Sequence, residues 1–201
     1  MERKPGRPRA LTVDVIAQAA LDDGIATFSM PSVARRLGVA HSGLYRYVED
    51  RDDLLVRALD RAVAAASWPD PDLPWRELLA AVGDSIWQMC EDHQGLDRAA
   101  LSVPRSPKGM EDKVEAYVES VRRQGFLIED AAVAVEFVIT LALTASAEMR
   151  RLEAIEAKHS DGPKPPVLKA YDTEEVWRGR GWYARKLEIV LTGLEPRRIE
   201  A

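Results

Sequence analysis

The sequence predicts an all-α protein: an N-terminal three-helix domain containing a helix-turn-helix, followed by a larger C-terminal helical domain. Three observations predict it. Apolar residues recur at 3.6-residue spacing in one segment after another along the 201 residues. Gly or Pro interrupts the pattern between segments, as at Gly24, Gly38, 69–74, Gly95, 104–107 and Gly125. The stretch 131–147 is apolar on nearly all sides of a helix, which suits a helix that is enclosed or meets a partner.

Residues 2–10, with Arg3, Lys4, Arg7 and Arg9, read as a disordered basic arm. Thr12 caps a first helix whose Val15, Ile16, Ala17, Ala20 and Leu21 face inward, and Gly24 ends it. Phe28 fills the core beneath. Ser29 is the N-cap of a second helix, with Pro31 in its first turn, where a missing N–H is harmless. Val33, Ala34 and Leu37 form its apolar face. Gly38 ends it in a left-handed conformation, and Val39 plugs the turn. A further short helix runs over 41–47, with Leu44 and Val48 facing inward. Asp50 and Asp53 open a fourth helix, where acidic groups favour the N-terminal dipole, and Leu54, Leu55, Ala58, Leu59 and Ala62 are its buried stripe. The domain boundary falls here, giving units 1–50 and 51–201.

Trp68-Pro-Asp-Pro-Asp-Leu-Pro74 stops that helix, because three prolines cannot continue one. A helix from Trp75 to about Asp92 carries Leu78, Leu79, Val82, Ile86 and Met89. Gln94-Gly95 interrupts, a short helix covers 96–101, and Pro104-Arg-Ser-Pro107 breaks again. A helix over about 108–124 presents Val114, Tyr117, Val118 and Val121. The longest helix, 130–158, begins apolar and becomes charged from Glu148. Asp161-Gly-Pro-Lys-Pro-Pro166 is a Pro-rich loop, and Asp172-Thr-Glu-Glu175 resembles a capping box for a last helix near 173–194. Gly179 and Gly181 weaken its first turns, while Tyr183, Leu187, Val190, Leu191 and Leu194 form its stripe. A small helical domain has little with which to wrap 131–147. A second copy of the chain is the economical cover, through the helices near 130–158 and 173–194 of each subunit.

Composition narrows the function classes. Cys90 is the one cysteine, so no intrachain disulfide forms, as expected of a reducing cytoplasm. The first residues hold no apolar stretch for export, and the run near 131–147 contains Glu136 and is short for a membrane span. A soluble, cytoplasmic protein with no membrane partner is expected. Net charge is −5, but residues 1–51 hold eight Lys/Arg against six Asp/Glu, while the rest hold 20 against 27. A weakly basic head on an acidic body suits a protein presenting one end to phosphate.

No phosphate-cradling Gly loop, His-Glu-x-x-His or Gly-x-Ser-x-Gly occurs, so no enzyme chemistry and no cofactor are expected. His41, His93 and His159 are far apart. Cys90-x-x-His93 has zinc-like spacing without a second pair, and no metal site is expected. What remains is the outward set on the 41–47 helix: His41, Ser42, Gly43, Tyr45, Arg46 and Tyr47. A short polar and aromatic helix fits the major groove of duplex DNA, and small residues at its start allow close approach. The same pattern also describes a helical hairpin with a wet face. Pro-Gly-Arg-Pro-Arg, ending in Arg7, Pro8 and Arg9, is similar to the core of minor-groove AT-hook segments. The alternative for that arm is a solvated tail adding unspecific charge.

Thr12…Ile16-Ala17…Ala20-Leu21…Gly24…Phe28-Ser-Met…Val33-Ala34…Leu37-Gly38-Val39…Leu44-Tyr45-Arg46-Tyr47-Val48…Arg51-Asp-Asp-Leu54-Leu55 resembles the DNA-binding domain of the tetracycline-repressor family. The resemblance implies a dimeric transcription regulator, most simply a repressor of a palindromic operator released by a small molecule. It implies DNA contacts by Ser42, Tyr45, Arg46 and Tyr47, supported by Ser32, His41 and Gly43. Arg51 is a phosphate contact or a plain surface charge. By analogy, an effector site in the body draws on Trp87, Met110, Tyr117, Phe137 and Thr140, residues that also suit an ordinary core. His93 falls about where a drug-binding member holds a metal–drug complex, although its neighbours here differ. Two rivals stand beside this reading. One is an activator with the same head; the other is a helical ligand-binding protein or enzyme whose DNA-reading surface is idle.

Overall fold

Side-chain caps set where the first helices begin. In the computed structural model, which describes residues 11–158 and 179–199, Thr12 Oγ1 accepts the Val15 N–H at 3.3 Å and starts α1, Val13–Gly24. Ser29 and Ser32 cap α2, Met30–Leu37, reciprocally: Ser32 N–H donates to Ser29 Oγ at 3.2 Å and Ser29 N–H to Ser32 Oγ at 2.9 Å. Gly38 closes α2 at φ 66°, a left-handed conformation that glycine enters without a Cβ clash. Asp50 Oδ1 accepts the Asp53 N–H at 2.8 Å, and Asp53 Oδ2 accepts the Glu49 N–H at 3.1 Å, opening α4, Arg51–Ala65.

Between them α3, His41–Leu44, is one helical turn, shorter than the 41–47 helix the sequence predicts. Ala40 offers no side-chain cap, and Gly43 weakens the helix from within. Tyr45, Arg46 and Tyr47 continue as a turn in which Leu44 O accepts the N–H of Tyr47 at 2.9 Å and of Val48 at 3.2 Å. Phe28, Ile16, Val33, Leu44 and Val48 close the head's core. Val15, expected inward, is half-exposed, and Ala19 is buried instead.

The body comprises α5, Trp75–Asp92; α6, Leu96–Ser102; α7, Lys108–Arg123; α8, Ile128–Lys158; and α9, Arg180–Leu194, followed by a 3-10 turn over Glu195–Arg197. Among the described residues no strand occurs. Arg7, Arg9, His159, the 161–166 loop and the 172–175 capping box lie outside the described residues, as does the start of the helix expected near 173–194. The Pro-rich break is fastened to α7. Gln124 Oε1 accepts the Trp75 N–H at 2.7 Å, serving as the cap that Pro74 cannot provide. Tyr117 Oη donates to Pro69 O at 3.2 Å, and Ser120 Oγ donates to Pro71 O. α8 packs against α5, α6, α7 and α9. By length and composition it is the one helix among the described residues that could cross a bilayer, although core helices pass the same test. The run expected to be short for a span therefore sits in a helix of 31 residues.

One continuous apolar core joins head and body, from Ile16 to Leu194. Two close approaches show how tightly it is drawn. At Gly95, φ 86°, a Cβ would lie 2.5 Å from the Ala26 Cβ, so the α5–α6 turn touches the head's α1–α2 loop. At Gly83 a Cβ would collide with Tyr183 Oη and lie 2.9 Å from Val138 Cγ1, which is how α5 admits the aromatic ring of α9. Gly83→Ala therefore overpacks the α5–α8–α9 junction. It is expected to cost about 2 kcal/mol and lower the thermal midpoint by several degrees in calorimetry, despite the better helix propensity of alanine.

Candidate functional site

The exposed turn of the head is built on two buried anchors. Leu44 is fully buried and Val48 nearly so, and they hold the segment between them against α2 and the head's core. That leaves His41, Ser42, Tyr45 and Arg46 exposed and Gly43 and Tyr47 half-buried. The rings of His41 and Tyr45 meet edge to face at 5.2 Å, with Tyr45 Oη and His41 Nε2 at 3.3 Å. The Arg46 guanidinium lies 6.0 Å from the centre of the Tyr47 ring. Ser32 is half-buried, with its hydroxyl donating to Ser29 O at 2.8 Å, so it serves the α2 cap. Arg51 is held in place: its Nε donates to Phe28 O at 3.3 Å and its guanidinium sits 4.8 Å above the Phe28 ring. It is a fixed cation at the start of α4.

The body holds a partly open cavity of about 300 Å³. α4 contributes Leu59 and Val63, α5 Ile86 and Met89, α6 Leu96 and Ala100, α7 Met110, and α8 Ile139 and Leu143. Loop 103–107 forms the remaining wall and brings Arg105 and Ser106 to it. An apolar space with a few polar groups is the usual form of a small-molecule site.

Of the six body residues named from the sequence, Met110 lines this cavity; Met89, on α5, lines it too. The other five lie elsewhere. Trp87 stacks on Tyr183, ring centres 5.0 Å apart. Tyr117 secures the proline break. Phe137 is 46 % exposed on the outer side of α8, and Thr140 Oγ1 donates to Glu136 Oε1 at 2.8 Å. His93 closes α5, its N–H donating to Met89 O at 3.0 Å, beside a separate cleft between head and body. In that cleft the buried Asp97 carboxylate lies 3.5 Å from Arg150 Nε, and Arg150 also donates to Cys90 O. Burial, then the Asp97 charge, pushes the Cys90 thiol up to about 12. Such a thiol stays protonated and inert. Among the described residues no three His, Cys, Asp or Glu side chains form a metal-binding group.

Among the lining residues missed from sequence are core positions such as Leu59, Ile86 and Leu143, read only as packing, and the polar ones of loop 103–107. The signal was present, two prolines flanking an Arg-Ser pair, but it reads as a helix breaker. Arg105 Nη2 donates to Asp53 Oδ1 at 3.0 Å, linking the cavity wall to the first turn of α4. Burial alone would raise the Asp53 pKa. Hydrogen bonds from Arg57 and the Glu49 N–H, with the charges of Arg57 and Arg105, outweigh it and hold the carboxyl below the usual range.

No family model matches the chain. The curated relatives it resembles are named as HTH-type transcriptional regulators, several of them repressors. DrrR1 of Streptomyces coeruleorubidus is 30% identical over 131 residues, 61% of this chain and 48% of the relative. A Mycobacterium tuberculosis repressor is 30% identical over 115 residues, 53% of this chain and 44% of the relative. The chain thus spans about half the length of the curated relatives it matches. Among solved structures, the Streptomyces coelicolor TetR family protein ActR in complex with actinorhodin superposes with a TM-score of 0.68 at 25% identity, covering 94% of this chain and 98% of that one. TetR from Acinetobacter baumannii AYE superposes with a TM-score of 0.73 at 18% identity, covering 94% of this chain and all (100%) of that one. The all-helical fold is that of the tetracycline-repressor family.

The Asp53 carboxylate contributes stability above its unfolded pKa, and that contribution is lost as pH falls through its lower folded value. Asp53→Asn is expected to cost about 1 kcal/mol at neutral pH. The gap between variant and parent should narrow in urea unfolding as the pH is lowered below about 4.

Proposed function

We propose that the chain is a DNA-binding transcription regulator, a dimeric repressor of a palindromic operator that a small molecule releases. The observation that carries the reading is the joining of two features by one helix. An exposed, rigidly anchored turn from His41 to Tyr47 leads directly into α4, and α4 supplies a wall of an apolar cavity. The turn reads the major groove: Ser42, Tyr45 and Arg46 reach bases or phosphates, with His41, Gly43 and Tyr47 beside them. Arg51 holds its position for a phosphate, and Arg7 and Arg9 of the basic arm add attraction to the duplex. Residues 1–50 act as the reading head and 51–201 as the effector-binding and dimerisation body.

Dimerisation uses α8 and α9. Val133 is 61%, Phe137 46% and Ile189 63% exposed on these helices, which is apolar surface that a second copy covers. The partner sets the spacing of two heads, each serving one half-site. An effector releases DNA only if it binds the released form better, because equal affinity shifts nothing. The curated relatives are named as regulators, not enzymes, and a cytoplasmic location goes with this reading.

Footprinting on DNA upstream of the chain's own coding region, with and without a small-molecule panel, tests the proposal. Tyr45→Ala with Arg46→Ala should weaken operator binding by about two orders of magnitude, since each such contact is worth ~1–3 kcal/mol. Light scattering should still give a dimer. The parent's affinity should fall steeply between low and moderate salt; a flat response would exclude phosphate contact and sink the reading. Val133→Asp with Ile189→Asp should instead yield a folded monomer by sedimentation.

A further inference from the structure

We infer that the cavity takes a compact apolar ligand carrying one anionic group, and that this anion draws Arg105 away from Asp53. The inference rests on the regulator reading above and adds the ligand's chemistry and the route of release. Leu59, Ile86, Met110 and Leu143 present hydrocarbon, which selects a hydrocarbon frame. Among the described residues lining the space Arg105 alone carries charge, and no carboxylate there repels an anion. An anion entering apolar walls needs a charged hydrogen-bond donor, and a guanidinium supplies two parallel ones.

Arg105 is already engaged, through the 3.0 Å bond from Nη2 to Asp53 Oδ1. Asp53 has other partners, however: Arg57 Nε donates to it at 3.0 Å and the Glu49 N–H at 3.1 Å. When Arg105 turns to a ligand, Asp53 keeps both, so no buried charge is stranded. The Asp53 side chain is 9% exposed and that of Arg105 59%, so the arginine is the partner free to move. The exchange unfastens loop 103–107 from the first turn of α4, which begins three residues after Val48, the anchor of the exposed turn. A neutral ligand of equal size fills the cavity and leaves this fastening intact. Ligand charge, beyond ligand volume, is then what the head senses.

Two fluorescent probes on one frame separate these effects: 1-anilinonaphthalene-8-sulfonate and its neutral counterpart N-phenyl-1-naphthylamine. Both should bind the full chain and lose binding in Ala100→Trp, which fills the cavity. Arg105→Gln should weaken the sulfonate about tenfold and change the neutral dye by less than about twofold. Asp53→Asn should tighten the sulfonate severalfold, and that gain should vanish in the Arg105→Gln background. Equal effects of Arg105→Gln on both dyes, or none on either, overturn the anion preference and leave the cavity standing. A gain from Asp53→Asn that survives Arg105→Gln overturns the exchange. Dye binding indifferent to Ala100→Trp, or absent altogether, overturns the cavity as the ligand site. None of these readouts involves DNA, so a failed footprint and a failed exchange are distinguished.

Discussion

α4 is packed from both of its sides, and the rest of the molecule depends on that. Leu54 and Ala58 are fully buried, and α4 as a whole packs along α1 in the head. Leu59 and Val63, one to two turns further on, face the body's cavity. A helix of 15 residues is about 22 Å long and does not bend easily over that span. Displacing its cavity end would therefore tilt the helix rather than compress it, because the buried side chains at the far end are close-packed. The continuity of the core from Ile16 to Leu194 is the packing statement of the same fact.

The contacts between the two ends are unequal in strength. At Gly95 the backbone meets Ala26 with no room for a methyl group, which makes it a steric stop. Within the body, the Asp97–Arg150 pair ties α6 to α8, and with Asp97 fully buried it is costly to break from one side. The Arg105–Asp53 bond has one exposed partner and is worth less. A hard stop and one weak fastening thus stand side by side around α4. The weak one lies on the cavity wall.

Much of this was legible in the sequence, and the reason is local. Thr12, Ser29, Asp50 and Gly38 act on backbone groups within four residues of themselves, so their roles as caps follow from residue type and order. The helical stripes of α5, α7 and α9 follow from periodicity alone. The end of α3 was less legible, because turn and helix differ there by a few backbone bonds that Gly43 and Ala40 weaken without abolishing. The cavity was least legible. Trp87 and Tyr117 look like ligand contacts by type, yet each is consumed by a partner far away in sequence, Tyr183 and Pro69. Arg105 looks like punctuation between two prolines, and its partner Asp53 lies 52 residues earlier.

A cavity is defined by what fails to meet, and no residue pattern encodes that failure. Protein interiors close voids wherever side chains allow it, and a space left unfilled forgoes packing contacts. Several walls here end in short or flexible side chains: Ala100, Met89, Met110 and the ring edges of Pro104 and Pro107. Larger aliphatic groups at the same positions would have closed the space and stabilised the body. Under the proposed function, a ligand of matching shape would fill that space, and because α4 is one of the walls its binding energy would depend on where α4 sits.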